Sequence, residues 1–164
     1  MKKLGVLFIA LLLIGCADKK QDMNVADPTA LRTILKIQED LSEKNEFNYQ
    51  LIDIKSNSEM EYFPYAQHFD QEKIKEGYIL EPEDSLVNAE LIIVVEVADS
   101  DLLDEVADNM DKLTSDQMVR WTEYIESQKQ LVKTNRIEQQ GNYILYVTSK
   151  NANHVVQIFQ EQVR

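Results

Sequence analysis

The chain has 164 residues, with 17 lysines and arginines against 29 aspartates and glutamates, for a net charge of −12. Phosphate backbones and anionic lipid headgroups are repelled by such a surface, which excludes nucleic-acid binding and a peripheral lipid-binding face. The single cysteine, Cys16, excludes an internal disulfide, and the two histidines, His68 and His154, lack the close spacing of a zinc site.

Lys2 and Lys3 precede an apolar run from Leu4 to Ile14. At about 1.5 Å of helical rise per residue the run is far shorter than the ~30 Å hydrocarbon core, so it reads as the apolar centre of a signal peptide rather than a membrane span. Leu13-Ile14-Gly15-Cys16 closes it with a small residue before a cysteine, the pattern of a bacterial lipoprotein signal. Cleavage is expected between Gly15 and Cys16, with lipid on the Cys16 sulfur. Such an anchor holds at about 0.8 kcal/mol per buried methylene. Three parts are therefore expected: a signal peptide over 1–15, a lipidated cysteine and flexible tether over 16–26, and one α+β domain over 27–164. Loss of Lys2 and Lys3 with the signal leaves a charge of −14 on the mature chain.

Asp27 and Pro28 stand where an N-cap and a first helical residue belong. The helix that follows should carry its stripe on Leu31, Ile34, Leu35, Gln38 and Leu41 and end near Glu43 to Asn45. Phe47 to Ile54 reads as a short strand and Lys55 to Glu59 as a turn. Next comes an aromatic segment, Tyr62-Phe63-Pro64-Tyr65 and His68-Phe69, which packs as a satellite core under a loop or, if exposed, offers a contact surface made of Tyr62, Phe63, Tyr65, His68 and Phe69. Gln71 to Gly77 reads as a short helix stopped by its glycine, and Tyr78 to Asp84 as a connector.

Ala89 to Val97 is the clearest strand, apolar on both alternating faces, and is expected at the centre of a sheet. Asp99-Ser100-Asp101 should cap a long helix with Leu103, Val106, Met110, Leu113, Trp121 and Ile125 on its stripe. Acidic residues crowd its first turns, where the helix dipole favours them. Thr114-Ser115-Asp116 suggests a kink, and Glu126 to Leu131 a second short helix. Arg136 to Gln140 and Tyr143 to Thr148 flank Gly141-Asn142 as a β-hairpin. A last helix, capped within Lys150 to Asn153, should bury Val155, Val156, Ile158, Phe159 and Val163. The order of elements predicts an α+β fold: a two-layer sandwich with a small, mostly antiparallel sheet (strand-helix-strand-strand-helix) and an N-terminal helix.

With the lipobox Leu13-Ile14-Gly15-Cys16, the segment Gly77 to Asp84, the strand Ala89 to Val97 with Ala98-Asp99-Ser100-Asp101 after it, and the hairpin Gln140 to Leu145, the chain resembles small Gram-positive lipoproteins carrying a domain of unknown function, the family numbered four-three-five-eight. The likeness covers roughly Ala30 to the C-terminus. It implies an anchored envelope protein and brings no activity, ligand or catalytic residue. The stretch from Phe47 to Phe69 is longer and more aromatic than the family leads one to expect.

Catalytic signatures are sparse. Asp99-Ser100-Asp101-Leu102-Leu103-Asp104 departs from a calcium loop, since Leu103 falls at a ligand position and no glycine follows. Carboxylate pairs such as Glu59/Glu61 and Glu81/Glu83 arise from acidic composition alone. No nucleophile elbow or phosphate-cradling loop occurs among only 4 glycines. Trp121 and Tyr124 belong to a helical core stripe. The expectation is a non-catalytic interaction or accessory module without cofactor or metal, anchored by lipid on the extracytoplasmic face of the cell membrane, with a protein of the envelope as its partner. A binder of small ligands or cations is the second reading, and a cell-wall hydrolase the last.

Overall fold

The computed structural model describes residues 29–43, 48–123 and 125–164. Cys16 and Gly15, the tether, Asp27, Pro28, Phe47 and Tyr124 lie outside them. Five strands form one antiparallel sheet: β1 (Tyr49–Asp53), β2 (Ile74–Pro82), β3 (Leu91–Val97), β4 (Arg136–Gln140) and β5 (Tyr143–Thr148), in the order β1-β2-β3-β5-β4. Its helices are α1 (Ala30–Ser42), the single turn α2 (Asn57–Met60), α3 (Leu103–Trp121), α4 (Glu126–Lys133) and α5 (Ala152–Gln162). Since β5 is antiparallel to both β3 and β4, the path from β3 through α3 and α4 to β4 is a crossover between parallel strands.

Every residue of β3 is buried, because helices cover both faces of the sheet. Ile92 and Val94 share one core with Ile34, Ile37 and Leu41 of α1 and Val155 and Phe159 of α5. Leu91, Ile93, Val95 and Val97 share the other with Val106, Met110 and Leu113 of α3 and with the aromatic segment. The mixed α+β architecture, with its antiparallel sheet and N-terminal helix, follows the sequence pattern. The sheet, however, is the middle of three layers where the sequence suggested two. A strand that is apolar on both faces needs a cover on each.

Five local expectations are corrected. Residues 71–77 do not form a helix, and Tyr78 to Leu80 are not a connector: Ile74–Pro82 is β2, hydrogen-bonded between β1 and β3. Long-range pairing overrides a segment whose local residues favour no strand. Gly77 is not a helix stop. A Cβ there would lie 2.9 Å from Ile54 Cδ1 and 3.3 Å from Val95 Cγ2, so the strand position is kept bare for close packing.

Helix α3 also runs unbroken through Thr114-Ser115-Asp116. The hydroxyls of Thr114 and Ser115 donate back to the carbonyls of Met110 and Asp111, at 3.1 and 3.2 Å, and are absorbed by the helix. Thr29, rather than Asp27, caps α1, its Oγ1 accepting from Arg32 N at 3.0 Å. On that helix Ile37 is buried and Leu35 is exposed, which rotates the buried stripe away from the expected one. The hairpin turn is as read, with Gly141 at φ +57°.

Candidate functional site

Strand β1 is an edge of the sheet, and its register decides which backbone groups stay open. Asn48 O accepts from Glu83 N and Ile54 N donates to Gly77 O, so the even-numbered residues between them face β2. Tyr49, Leu51 and Asp53 therefore turn their backbone groups outward. Gln38 Nε2 donates to Tyr49 O at 3.2 Å, and Glu59 accepts from Asp53 N at 2.7 Å. Both ends of the edge are thus capped from within the chain, leaving Leu51 between them.

Beside this edge lies a cleft of about 240 Å³, walled by Gln50, Leu51, Ile52, Glu59, Tyr62, Phe63 and Glu81. Ile52 and Phe63 give it an apolar floor. Glu59 and Glu81 bring two carboxylates, and Tyr62, 83% exposed, stands at the surface. Glu81 is 7% exposed and accepts from Gln50 Nε2 at 2.8 Å. Burial pushes its pKa up, while Gln50, Ser85 and Arg120 pull the other way.

Behind Glu81 the interior stays polar. Tyr65, Glu81, Glu90, Gln117 and Arg120 line a void of only about 10 Å³, too small for a ligand. Arg120 is held away from the cleft: it donates to Ser85 O at 3.0 Å and its guanidinium lies 5.5 Å from the Trp121 ring centre. Among the described residues no partner meets the buried Tyr65 hydroxyl at hydrogen-bond geometry, and burial raises its pKa against the pull of nearby Arg120. The Tyr49 hydroxyl donates to Glu90 Oε2 at 2.5 Å, and Lys150 N donates to Glu90 Oε1 at 3.2 Å. That buried carboxylate ties β1 to the end of β5.

The five residues read as a candidate contact surface are divided by the structure. Phe63, Tyr65 and Phe69 are core, 5%, 5% and 8% exposed, because the segment folds its rings under the sheet against α3. As an outward surface the set reduces to Tyr62 and the edge of His68. The His68 ring is bound at 2.8 Å to Asp116, which also accepts from Gln67. His154 lies elsewhere, its Nε2 2.6 Å from Asp40 between α5 and α1. Among the described residues no three or more His, Cys, Asp or Glu side chains gather as a metal would need, and no helix is long and apolar enough to cross a membrane. Gln50 and Glu81 are not legible as a site, for their meeting depends on strand pairing across 31 residues.

A family model described as Domain of unknown function (DUF4358) matches residues 66–149, 84 of the 164 residues. The chain belongs to this family. No curated protein and no solved structure matches it. The DUF4358 match takes in β2 to β5 with α3 and α4, and so Glu81, Glu90, Gln117 and Arg120. Strand β1, Glu59, Tyr62 and Phe63 fall before it. The cleft is therefore built where residues preceding the DUF4358 match meet the matched sheet.

Burial makes the Glu81 charge a burden on folding, with a definite sign in pH. Its folded pKa lies above the unfolded value, so the penalty is absent in acid and sets in as pH rises from the ordinary carboxylate range through the folded pKa. Glu81→Gln, which keeps an acceptor for Gln50, is expected to raise Tm near pH 7 by a few degrees, corresponding to about 1 kcal/mol. The gain should vanish below the unfolded pKa. Thermal scans of both proteins across pH check it; a gain largest in acid would contradict the cause.

Proposed function

We propose that the protein is a lipid-anchored, non-catalytic module on the extracytoplasmic face of the cell membrane, holding or modulating a protein partner of the envelope. The observation that carries this reading is the start of the chain: two lysines, a short apolar run and Gly15-Cys16 in the lipoprotein arrangement. The polar stretch after Cys16 gives the domain reach from the bilayer, and its acidic surface keeps it off anionic headgroups. A second reading, a small-ligand or cation binder, is favoured by the 240 Å³ cleft with its two carboxylates.

The test is cross-linking of the full-length chain in its own membranes, followed by mass spectrometry, beside Cys16→Ala at equal abundance. The expected result is a lipid-sized mass increment on Cys16, one partner recovered reproducibly, and loss of both in the variant. An unmodified Cys16 would end the anchored reading. Recovery of no specific partner would shift weight to the ligand reading, which a thermal-shift screen then decides, since a ligand at 100 times its Kd stabilises the folded state by about 2.7 kcal/mol.

A further inference from the structure

We infer that the cleft beside β1 takes a lysine or arginine side chain carried on an extended segment of the partner protein; this rests on the interaction reading above and gives it a site. At about 240 Å³ the cleft falls below the ~300–1,000 Å³ usual for drug-sized ligands and suits one long side chain. Its lining matches such a side chain along its length. Ile52 and Phe63 offer apolar surface to an alkyl stem. Glu59 and Glu81 offer carboxylates to the cationic head, and Tyr62 offers an aromatic ring in reach of solvent.

The backbone beside the cleft fits an extended occupant. Among the described residues Leu51, between the Gln38 and Glu59 caps, turns an N–H and a C=O outward without a partner, where a passing strand can pair. Pairing at one residue sets the register of the segment without opening the whole edge to aggregation. Arg120 is the cation already near Glu81, but it is fixed on the far side by Ser85 and Trp121, so it partly offsets the Glu81 charge without filling the cleft. The net charge of −12 adds attraction at longer range and favours a basic partner.

The test uses the full chain in detergent micelles and the fluorescent peptide acetyl-Ala-Val-Arg-Val-Ala-amide, read by anisotropy. Its citrulline counterpart has nearly the same shape without the charge. Saturable binding of the arginine peptide is expected, with the citrulline peptide weaker by at least about tenfold. Tyr62→Ala should weaken binding by about threefold to tenfold with Tm unchanged, because Tyr62 is exposed, and Glu81→Gln by at least about tenfold. Free arginine amide should compete at least about tenfold less well than the peptide, since it lacks the flanking backbone.

Absence of binding at millimolar peptide, equal binding of the citrulline peptide, or full affinity in Tyr62→Ala overturns the proposal. Competition by arginine amide as strong as by the peptide overturns it in favour of a small-cation pocket. The cross-linked partner separates this from the broader reading. If the partner is recovered undiminished from Tyr62→Ala membranes, the cleft fails as its site while the interaction module stands; if no partner is recovered from the unaltered protein, the module itself fails.

Discussion

Phe63→Ala is expected to destabilise the domain by about 3–5 kcal/mol, while Tyr62→Ala beside it costs less than about 0.5 kcal/mol. The two rings are neighbours in sequence and opposites in environment, 5% and 83% exposed. Phe63 packs edge-on to Tyr65, with centroids 5.7 Å apart and planes at 76°, and lies 6.0 Å from Phe69. Removing it leaves a cavity lined by rings that the sheet and α3 hold in place, so little relaxation is available to fill it. Domains of this size are stable by only about 5–15 kcal/mol, so Phe63→Ala takes a large share of the total. Urea unfolding of the two variants should show a much lower midpoint for Phe63→Ala with an unchanged slope, and no shift for Tyr62→Ala. Equal midpoints would mean that the aromatic segment lies on the surface rather than in the core.

The elements that could be read directly are those whose own residues impose the pattern. Leu91 to Val97 is apolar throughout because both of its faces are covered, and Gly141 marks the hairpin because the turn needs a positive φ. Strand β2 begins instead with Ile74-Lys75-Glu76-Gly77, a string that carries no strand signal. Its polar members are settled by distant partners: Lys75 reaches Glu96 at 2.6 Å, and Glu76 accepts from Ala30 N at 2.8 Å. Gly77 is small because Ile54 and Val95 crowd it, a reason invisible in the local sequence. The candidate site follows the same rule. Tyr62 and Phe63 stand out by composition, whereas Glu81 joins them only when β1 and β2 pair and Gln50 comes to lie opposite it. The aromatic cluster could be located along the chain, but its division into core and surface depended on how the loop closes over the sheet.

Gln117→Leu is expected to cost about 2–4 kcal/mol, roughly 10 °C in Tm, although leucine suits its place on the buried stripe of α3 between Leu113 and Trp121. Gln117 is 2% exposed and serves the sheet as an acceptor. The Tyr146 hydroxyl donates to its Oε1 at 2.5 Å, and its Nε2 donates to Ala89 O at 3.4 Å. Thr148 Oγ1 in turn donates to the Tyr146 oxygen at 3.0 Å, and Asn135 Nδ2 to Thr114 Oγ1 at 2.9 Å. Burial raises the Tyr146 pKa to about 12, so at neutral pH the phenol keeps its proton and must place it somewhere. Leucine at 117 removes an acceptor that both the Tyr146 and Thr148 hydroxyls reach and leaves them a single 3.0 Å contact for two buried protons, which costs more than the exchanged hydrogen bond was worth. The double variant Gln117→Leu with Tyr146→Phe removes the orphaned hydroxyl as well, and should recover about 1 kcal/mol relative to Gln117→Leu alone. A double-mutant cycle in urea measures that coupling directly. Strict additivity would show that the Tyr146 to Gln117 bond is not what holds α3 to β5.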